Sequence, residues 1–124
     1  MRDESRGADR RLKPRYPWNV SLRYVSFEAD DDLDRQISQA TTVDVSETGI
    51  QLQSREAIRV GAFVQVAVRT PDRTAPVVIL AKTKWCRTDE AGVYRTGLMF
   101  MGHIPPAFQD LLSRIEKGAR AAVA

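Results

Sequence analysis

The sequence predicts a mainly β fold, in which a six-stranded antiparallel barrel is preceded by a flexible N-terminal arm and followed by one C-terminal α-helix. Short segments rich in β-branched and aromatic residues recur along the chain, turn residues separate them, and no helical pattern lies between them. A chain of 124 residues with 43% hydrophobic residues fits one domain with a modest core. We expect a disordered arm over residues 1–9, the domain over residues 10–118 and a tail over residues 119–124.

Six segments carry the composition of strands, and turn signals rich in Gly, Pro, Asp and Ser bound most of them. Gly97 lies inside the last segment and indicates a bulge or a close approach of two backbones. Trp85 ends the fifth segment, where a tryptophan more often packs in a core than stacks on a ligand. An acidic polar loop, EADDDLDRQ, follows the first segment. The six segments are residues 19–27, 38–45, 49–53, 64–70, 77–85 and 93–100.

The C-terminal segment predicts an amphipathic helix. Pro105 and Pro106 suit its first turn, because a proline there removes no intrahelical hydrogen bond. Apolar residues then recur at i, i+3, i+4 and i+7, so one face of the helix should pack on the barrel. We expect the helix to fray from Gly118 onward. The apolar positions are Phe108, Leu111, Leu112 and Ile115.

The net positive charge is confined to the N-terminal arm. Residues 1–15 contain six basic and three acidic side chains, a surplus of three that equals the formal net charge of +3 for the whole chain. The remaining residues are therefore balanced. A basic arm before a neutral body is suited to an anionic partner, although a solubilising tail would have the same composition.

Several functional classes are disfavoured by composition. Cys86 and His103 are the only residues of their types, so neither an internal disulfide nor a Cys/His metal site is expected. No paired carboxylates or Ser-His arrangement can be assembled, so we expect no enzyme and no cofactor. No run of about 18 apolar residues is present, and no leader pattern begins the chain, so we expect a cytoplasmic protein without a membrane span. The neutral body disfavours single-stranded nucleic acid as a partner.

The sequence contains two short motifs that call for a joint explanation. Arg11 and Arg15 are four apart on an extended, proline-containing segment, RLKPR. Asp44, Ser46 and Gly49 form the pattern D-x-S-x-x-G at the entrance to a strand. An Asx-type turn would account for the second motif by itself. However, one strand and one loop between the motifs would allow the arginines to reach the turn.

These motifs, in this order, resemble those of the PilZ domain family of bacterial cyclic di-GMP receptors. The family pattern is R-x-x-x-R followed after a few tens of residues by [D/N]-x-S-x-x-G, which here are RLKPR and DVSETG. Pro17 after the arginines, the strand ending KTKW and the closing strand YRTGLMF are further likenesses. The resemblance covers residues 10–117. It implies a barrel with a following helix and a cyclic di-GMP site at Arg11, Arg15, Asp44, Ser46 and Gly49.

The chemistry of these residue types suits that ligand. A guanidinium can hold a phosphate or the O6/N7 edge of guanine, and a carboxylate can accept from the N1–H and N2–H donors of guanine. By the resemblance, Arg10 just before the first motif would bind a second, stacked ligand. Ligand binding would order the arm and change the surface offered to a downstream partner protein. The alternative is a PilZ-like protein-interaction module that binds no nucleotide, and either function is compatible with a monomer or a homodimer.

Overall fold

Seven strands and one helix make up the part of the chain that the structure, a computed structural model, describes: residues 14–27, 37–89 and 91–123. The predicted arm over residues 1–9 and the candidate ligands Arg10 and Arg11 lie outside the described residues. In chain order the elements are β1 (Tyr16–Pro17), β2 (Ser21–Phe27), β3 (Ser38–Val45), β4 (Gly49–Ser54), β5 (Phe63–Val68), β6 (Val77–Thr88), β7 (Tyr94–Phe100) and α1 (Pro106–Val123).

Six of these strands close into a barrel in which every neighbouring pair is antiparallel. The order around the barrel is β3-β2-β5-β6-β7-β4, and β4 pairs with β3 to complete the circle. The predicted six-stranded barrel with a C-terminal helix is therefore confirmed. The two-residue strand β1 is additional: it pairs with the end of β3, where Tyr16 lies opposite Val45 and Pro17 opposite Asp44.

The core follows from the alternation of side chains along the strands. In β5, for example, Val64, Val66 and Val68 are buried while the residues between them face outward. The helix covers one end of this core through Phe108, which is fully buried. The Phe108 ring makes edge-to-face contacts with the rings of Phe100 and Trp18, at centroid distances of 5.0 and 6.5 Å. The helix is thus held both to the barrel and to the segment that follows β1.

Two elements extend three or more residues beyond their predicted ends. Strand β6 continues past Trp85 to Thr88, because it keeps pairing with β7 after a shift of register. Helix α1 continues through Gly118 to Val123, so residues 119–123 are helical where a tail was expected. Alanine is the strongest helix former, and the i,i+4 ion pair between Glu116 and Arg120 spans the glycine.

Candidate ligand-binding site

A bulge in β3 turns Asp44 toward the outer surface. Thr42 lies opposite Leu52 of β4, but Asp44 lies opposite Gln51, so β3 has one extra residue between them. Without that residue Asp44 would share the inward direction of buried Thr42. With it, Asp44 is only partly buried and Val45 takes the core position. Bulges commonly redirect a side chain in this way beside functional sites.

Arg15 lies against Asp44 and Ser46, the first two residues of the D-x-S-x-x-G motif. Its Nε donates to Asp44 Oδ1 at 2.8 Å, and its Nη2 lies 2.7 Å from the same oxygen. Its Nη1 donates to Ser46 Oγ at 3.3 Å. The structure therefore brings the second arginine of R-x-x-x-R into direct contact with the turn, which the spacing of the two motifs allowed.

Ser46 is part of the turn's internal structure. Its side chain is fully buried, and its Oγ accepts a hydrogen bond from the backbone N–H of Thr48 at 3.1 Å. Its own backbone N–H donates to the carbonyl of Gly49 at 2.9 Å. The same hydroxyl therefore holds the turn between β3 and β4 and accepts from Arg15. In this arrangement Ser46 positions Arg15 and presents no exposed surface of its own.

Gly49 is required by a close approach of two strands, and not by its φ angle. A Cβ at this position would lie 2.2 Å from the carbonyl oxygen of Leu98 on β7. Its φ is not positive: among the described glycines a positive φ occurs at Gly61, Gly92 and Gly102. The third residue of the motif thus fixes how tightly β4, and with it the turn, packs on β7.

The segment after Arg15 is anchored by a buried threonine that the sequence did not single out. Thr42 Oγ1 donates to the carbonyl of Trp18 at 2.6 Å and accepts from the backbone N–H of Val20 at 2.9 Å. The Thr42 N–H in turn donates to the Val20 carbonyl at 2.9 Å. These bonds and the pairing of β1 fix the chain just beyond Arg15, which limits where its guanidinium can reach.

A row of polar side chains continues from Asp44 across the outer surface. Gln51 donates from Nε2 to the second oxygen of Asp44, Oδ2, at 3.2 Å. Arg95 of β7 donates to Gln51 Oε1 at 3.4 Å. Both residues line a pocket of about 370 Å³ together with Trp85 and Arg87 of β6. The carboxylate of Asp44 is therefore contacted on both of its oxygens.

Trp85 lies on this outer surface, so the prediction that it packs in the core is wrong. Its ring covers Gly97, where an added Cβ would lie 2.3 Å from the indole Nε1, so the close approach at this glycine is made by a side chain and not by a second backbone as expected. The Arg87 guanidinium carbon lies 4.4 Å from the ring centroid, a cation–π arrangement. The shift of register between Thr83 and Trp85 turns the tryptophan outward.

The described residues contain no candidate metal site. No group of three or more His, Cys, Asp or Glu residues comes together there. Arg15, Arg87 and Arg95 lie on the outer surface near the turn, with the carboxylates of Asp44 and Asp89 among them. This arrangement can hold a ligand that carries both anionic groups and hydrogen-bond donors.

A model of the PilZ domain matches residues 9–117, which is most of the chain. The chain belongs to the PilZ domain family. PilZ domains form a family of cyclic di-GMP-binding modules and are generally nucleotide-binding receptors rather than enzymes. The search of curated proteins returned no match for this PilZ domain. Its single described helix is not long and apolar enough to cross a bilayer.

Thr42, Gln51, Trp85 and Arg95 were not among the predicted site residues of this PilZ domain. Gln51 and Arg95 occupy outward positions on adjacent strands, so the pairing of β4 with β7 brings them together. Strand alternation would have placed each of them outside, but only the register shows that they meet. For Thr42 the sequence offered no signal beyond a β-branched residue in a strand.

Proposed function

We propose that this PilZ domain is a non-catalytic receptor for cyclic di-GMP. The site comprises Arg15, Asp44, Ser46 and Gly49, together with Arg10 and Arg11 from outside the described residues. One observation carries the proposal: the Arg15 guanidinium lies in contact with both Asp44 and Ser46. Two motifs far apart in sequence thus meet at one outward-facing turn of the barrel.

Binding in this site is an exchange of partners. Cyclic di-GMP offers two phosphates and two guanines, and the guanine N1–H and N2–H groups are the natural donors to a carboxylate. Asp44 at present accepts from Arg15 and Gln51. A guanine that binds Asp44 displaces Arg15, whose guanidinium then faces a phosphate or the O6/N7 edge of the base. Because Arg15 is partly exposed, it can rotate without disturbing the core.

The exchange provides a route to a partner protein. Arg15 immediately precedes β1, and a pocket of about 290 Å³ between this segment and α1 is lined by Pro14, Tyr16 and Leu112. A new position for Arg15 alters the arm on one side of that pocket and the surface next to the helix. The signalling output is therefore a change in the surface presented to a cytoplasmic partner, with the protein acting as a monomer or a homodimer.

The ligand stoichiometry depends on Arg10. An arginine just before R-x-x-x-R adds a third guanidinium, which suits a second cyclic di-GMP molecule stacked on the first. We expect two ligands per chain in the wild type and one in Arg10→Ala. A wild-type titration that ends at one ligand per chain would refute the stacked pair and leave the receptor function intact.

Calorimetric titration tests the receptor function directly. Cyclic di-GMP, GTP and the linear dinucleotide are titrated into wild type, Arg15→Ala and Arg73→Ala. Arg73 is the matched control because it is a partly exposed arginine that pairs with Asp110 on α1, away from the turn. Selective binding of cyclic di-GMP that is lost in Arg15→Ala and retained in Arg73→Ala supports the proposal. Absence of binding to folded wild-type protein refutes it.

The alternative function is a PilZ domain that acts through protein contacts alone. The observation that favours it is that the motif residues already have partners within the protein: Ser46 is buried, and Asp44 accepts from Arg15 and Gln51. In that case the motif would serve only to hold the arm on the barrel. The same titration separates the two functions, because only the receptor responds to nucleotide.

A further inference from the structure

The outer side of β2, β5 and β6, continued by Met99 of β7, carries apolar side chains that remain partly exposed in the described chain. Val78, Leu80 and Met99 are 39%, 40% and 42% exposed. At one end the rings of Phe27 and Phe63 pack on each other at a centroid distance of 5.8 Å. We call this surface the basic-apolar face.

Strand register makes the face continuous. Ala67 lies opposite Val78, Gln65 opposite Leu80, and Phe63 opposite Lys82, so these outward residues form cross-strand rows. Lys82 is in turn opposite Met99 on β7, and its ammonium group lies 5.9 Å from the centre of the Phe63 ring. A soluble barrel normally alternates polar residues on its outer side, and this part departs from that pattern.

All the charged residues of these strands are basic. Strands β2, β5, β6 and β7 contain no aspartate or glutamate. Arg69, one residue beyond β5, extends the positive charge. The face is therefore apolar in the middle and positive at its borders. The basic residues within the four strands are Arg23, Lys82 and Lys84, together with Arg87 and Arg95, which line the pocket at Trp85 described above.

A groove of about 420 Å³ adjoins the face between β2 and β5. Its lining includes the apolar side chains of Val25, Ala67 and Pro76, with Arg23 and Arg69 among its polar residues. Such a groove can receive an apolar side chain whose neighbours are carboxylates. Arginine is well suited to that arrangement because it binds carboxylates through two nitrogens.

We infer that the basic-apolar face is a docking surface for an acidic segment of a partner protein that carries apolar anchor residues. Charge complementarity selects this occupant. A second copy that presents the same face would bring like charges together, which disfavours a symmetric dimer through it. The groove is concave and the apolar residues are only partly exposed, which fits an inserted side chain better than the plane of a membrane. The inference does not depend on nucleotide binding.

The probe is a peptide of about 15 residues with leucines at helical spacing and glutamates on the other positions. Its affinity is measured by fluorescence anisotropy and its position by NMR shifts of backbone amides. Leu80→Glu places a carboxylate in the middle of the face and should weaken binding about tenfold or more. Val60→Glu is the control, because Val60 is an equally apolar residue, 58% exposed, in the loop before β5. Circular dichroism checks that both variants fold.

A charge exchange provides the second test. Lys82→Glu should weaken binding of the acidic peptide and permit binding of a peptide in which lysines replace the glutamates. Affinity for the acidic peptide should also fall as salt rises, since the borders of the face are exposed. Shifts confined to the rows around Leu80, loss in Leu80→Glu and reversal in Lys82→Glu together support the inference.

Five outcomes would overturn it. The acidic peptide fails to bind up to millimolar concentration, or binds equally well to Leu80→Glu. Vesicles with anionic lipid bind in a Leu80-dependent manner when the peptide does not, which would assign the face to a membrane. Sedimentation shows self-association that Leu80→Glu abolishes, which would assign it to a second copy. The peptide EADDDLD, the chain's own residues 28–34, occupies the face in preference to the probe.

Discussion

The guanidinium of Arg15 contacts the carboxylate of Asp44 across 29 positions of sequence, with Nε and Nη2 at 2.8 and 2.7 Å from the same oxygen, Oδ1. The pair also holds Ser46, since Arg15 Nη1 donates to its hydroxyl. The side chains of Arg15 and Asp44 are 42% and 23% exposed, so solvent screens their attraction. Such a pair contributes on the order of 0–1 kcal/mol to folding. Its importance therefore lies in where it holds the arm.

Arg15→Lys should separate charge from geometry in ligand binding. Lysine keeps the positive charge but offers no planar, two-pronged donor, so we expect the affinity for cyclic di-GMP to fall about tenfold or more. The free energy of unfolding should change by less than about 1 kcal/mol. Titration calorimetry and urea denaturation measure the two quantities. Equal affinities of Arg15→Lys and wild type would show that Arg15 acts as a charge only.

Thr42→Val should loosen the segment that follows Arg15. Valine has the same shape, but it cannot form the hydrogen bonds to Trp18 and Val20 that the threonine hydroxyl makes. The partly buried Trp18 carbonyl and Val20 N–H would lose that partner, and we expect a loss of about 1–3 kcal/mol in unfolding free energy. Hydrogen exchange at Val20 should accelerate. Thr41→Val, on the outward side of the same strand, is the control and should change stability by less than about 0.5 kcal/mol.

Substituting two glycines with alanine should have opposite effects on stability. Gly49→Ala places a methyl group against the Leu98 carbonyl, so β4 and β7 must separate, and we expect destabilisation of about 1–3 kcal/mol. Gly118→Ala meets nothing within 4 Å on the helix surface and should stabilise by about 0.5–1 kcal/mol. Thermal denaturation of both variants shows whether each substitution raises or lowers the stability. A neutral Gly49→Ala would contradict the close approach of the two strands.

Tyr24 should make the domain sensitive to alkaline pH. Burial raises the pKa of its phenol above the ordinary value of 10.0, against the opposing effect of hydrogen bonds with Ser54 and Ser38. The folded state thus binds the proton more tightly than the unfolded state. This stability contribution is fully present below pH 10 and is lost as pH rises above 10 toward and through the folded-state pKa.

Urea denaturation between pH 8 and pH 11 measures that contribution, and Tyr24→Phe is the matched variant because it keeps the ring and removes the titrating group. The wild type should lose stability faster than Tyr24→Phe above pH 10. Parallel curves for the two proteins would mean that Tyr24 titrates alike in the folded and unfolded states.

Composition and periodicity were sufficient to predict the barrel, because each strand alternates buried and exposed residues over a short, turn-bounded segment. Strand β3 begins and ends at the predicted residues, Ser38 and Val45. That the arm could reach the Asp44 turn was also predictable from the order and spacing of the two motifs, but the direct contact between Arg15 and Asp44 was not. These features depend on local sequence or on a strong motif.

The features that the sequence did not predict depend on register. The bulge beside Asp44 and the register shift before Trp85 each change which face a residue occupies, although neither alters the composition of its strand. A Trp at a strand end is compatible with either face until its partner, Gly97, is known. The reason for Gly49 was missed in the same way, because the carbonyl it avoids belongs to β7.

The closed barrel also limits how evolution can change its partners. Each barrel strand has neighbours on both sides, so the described barrel leaves no long free edge to which a partner's strand could be added. Partners must then bind the outward side chains of the barrel. A single outward substitution can therefore create or abolish the binding of a partner while the backbone stays unchanged. A set of such domains could diverge in output and still share one barrel.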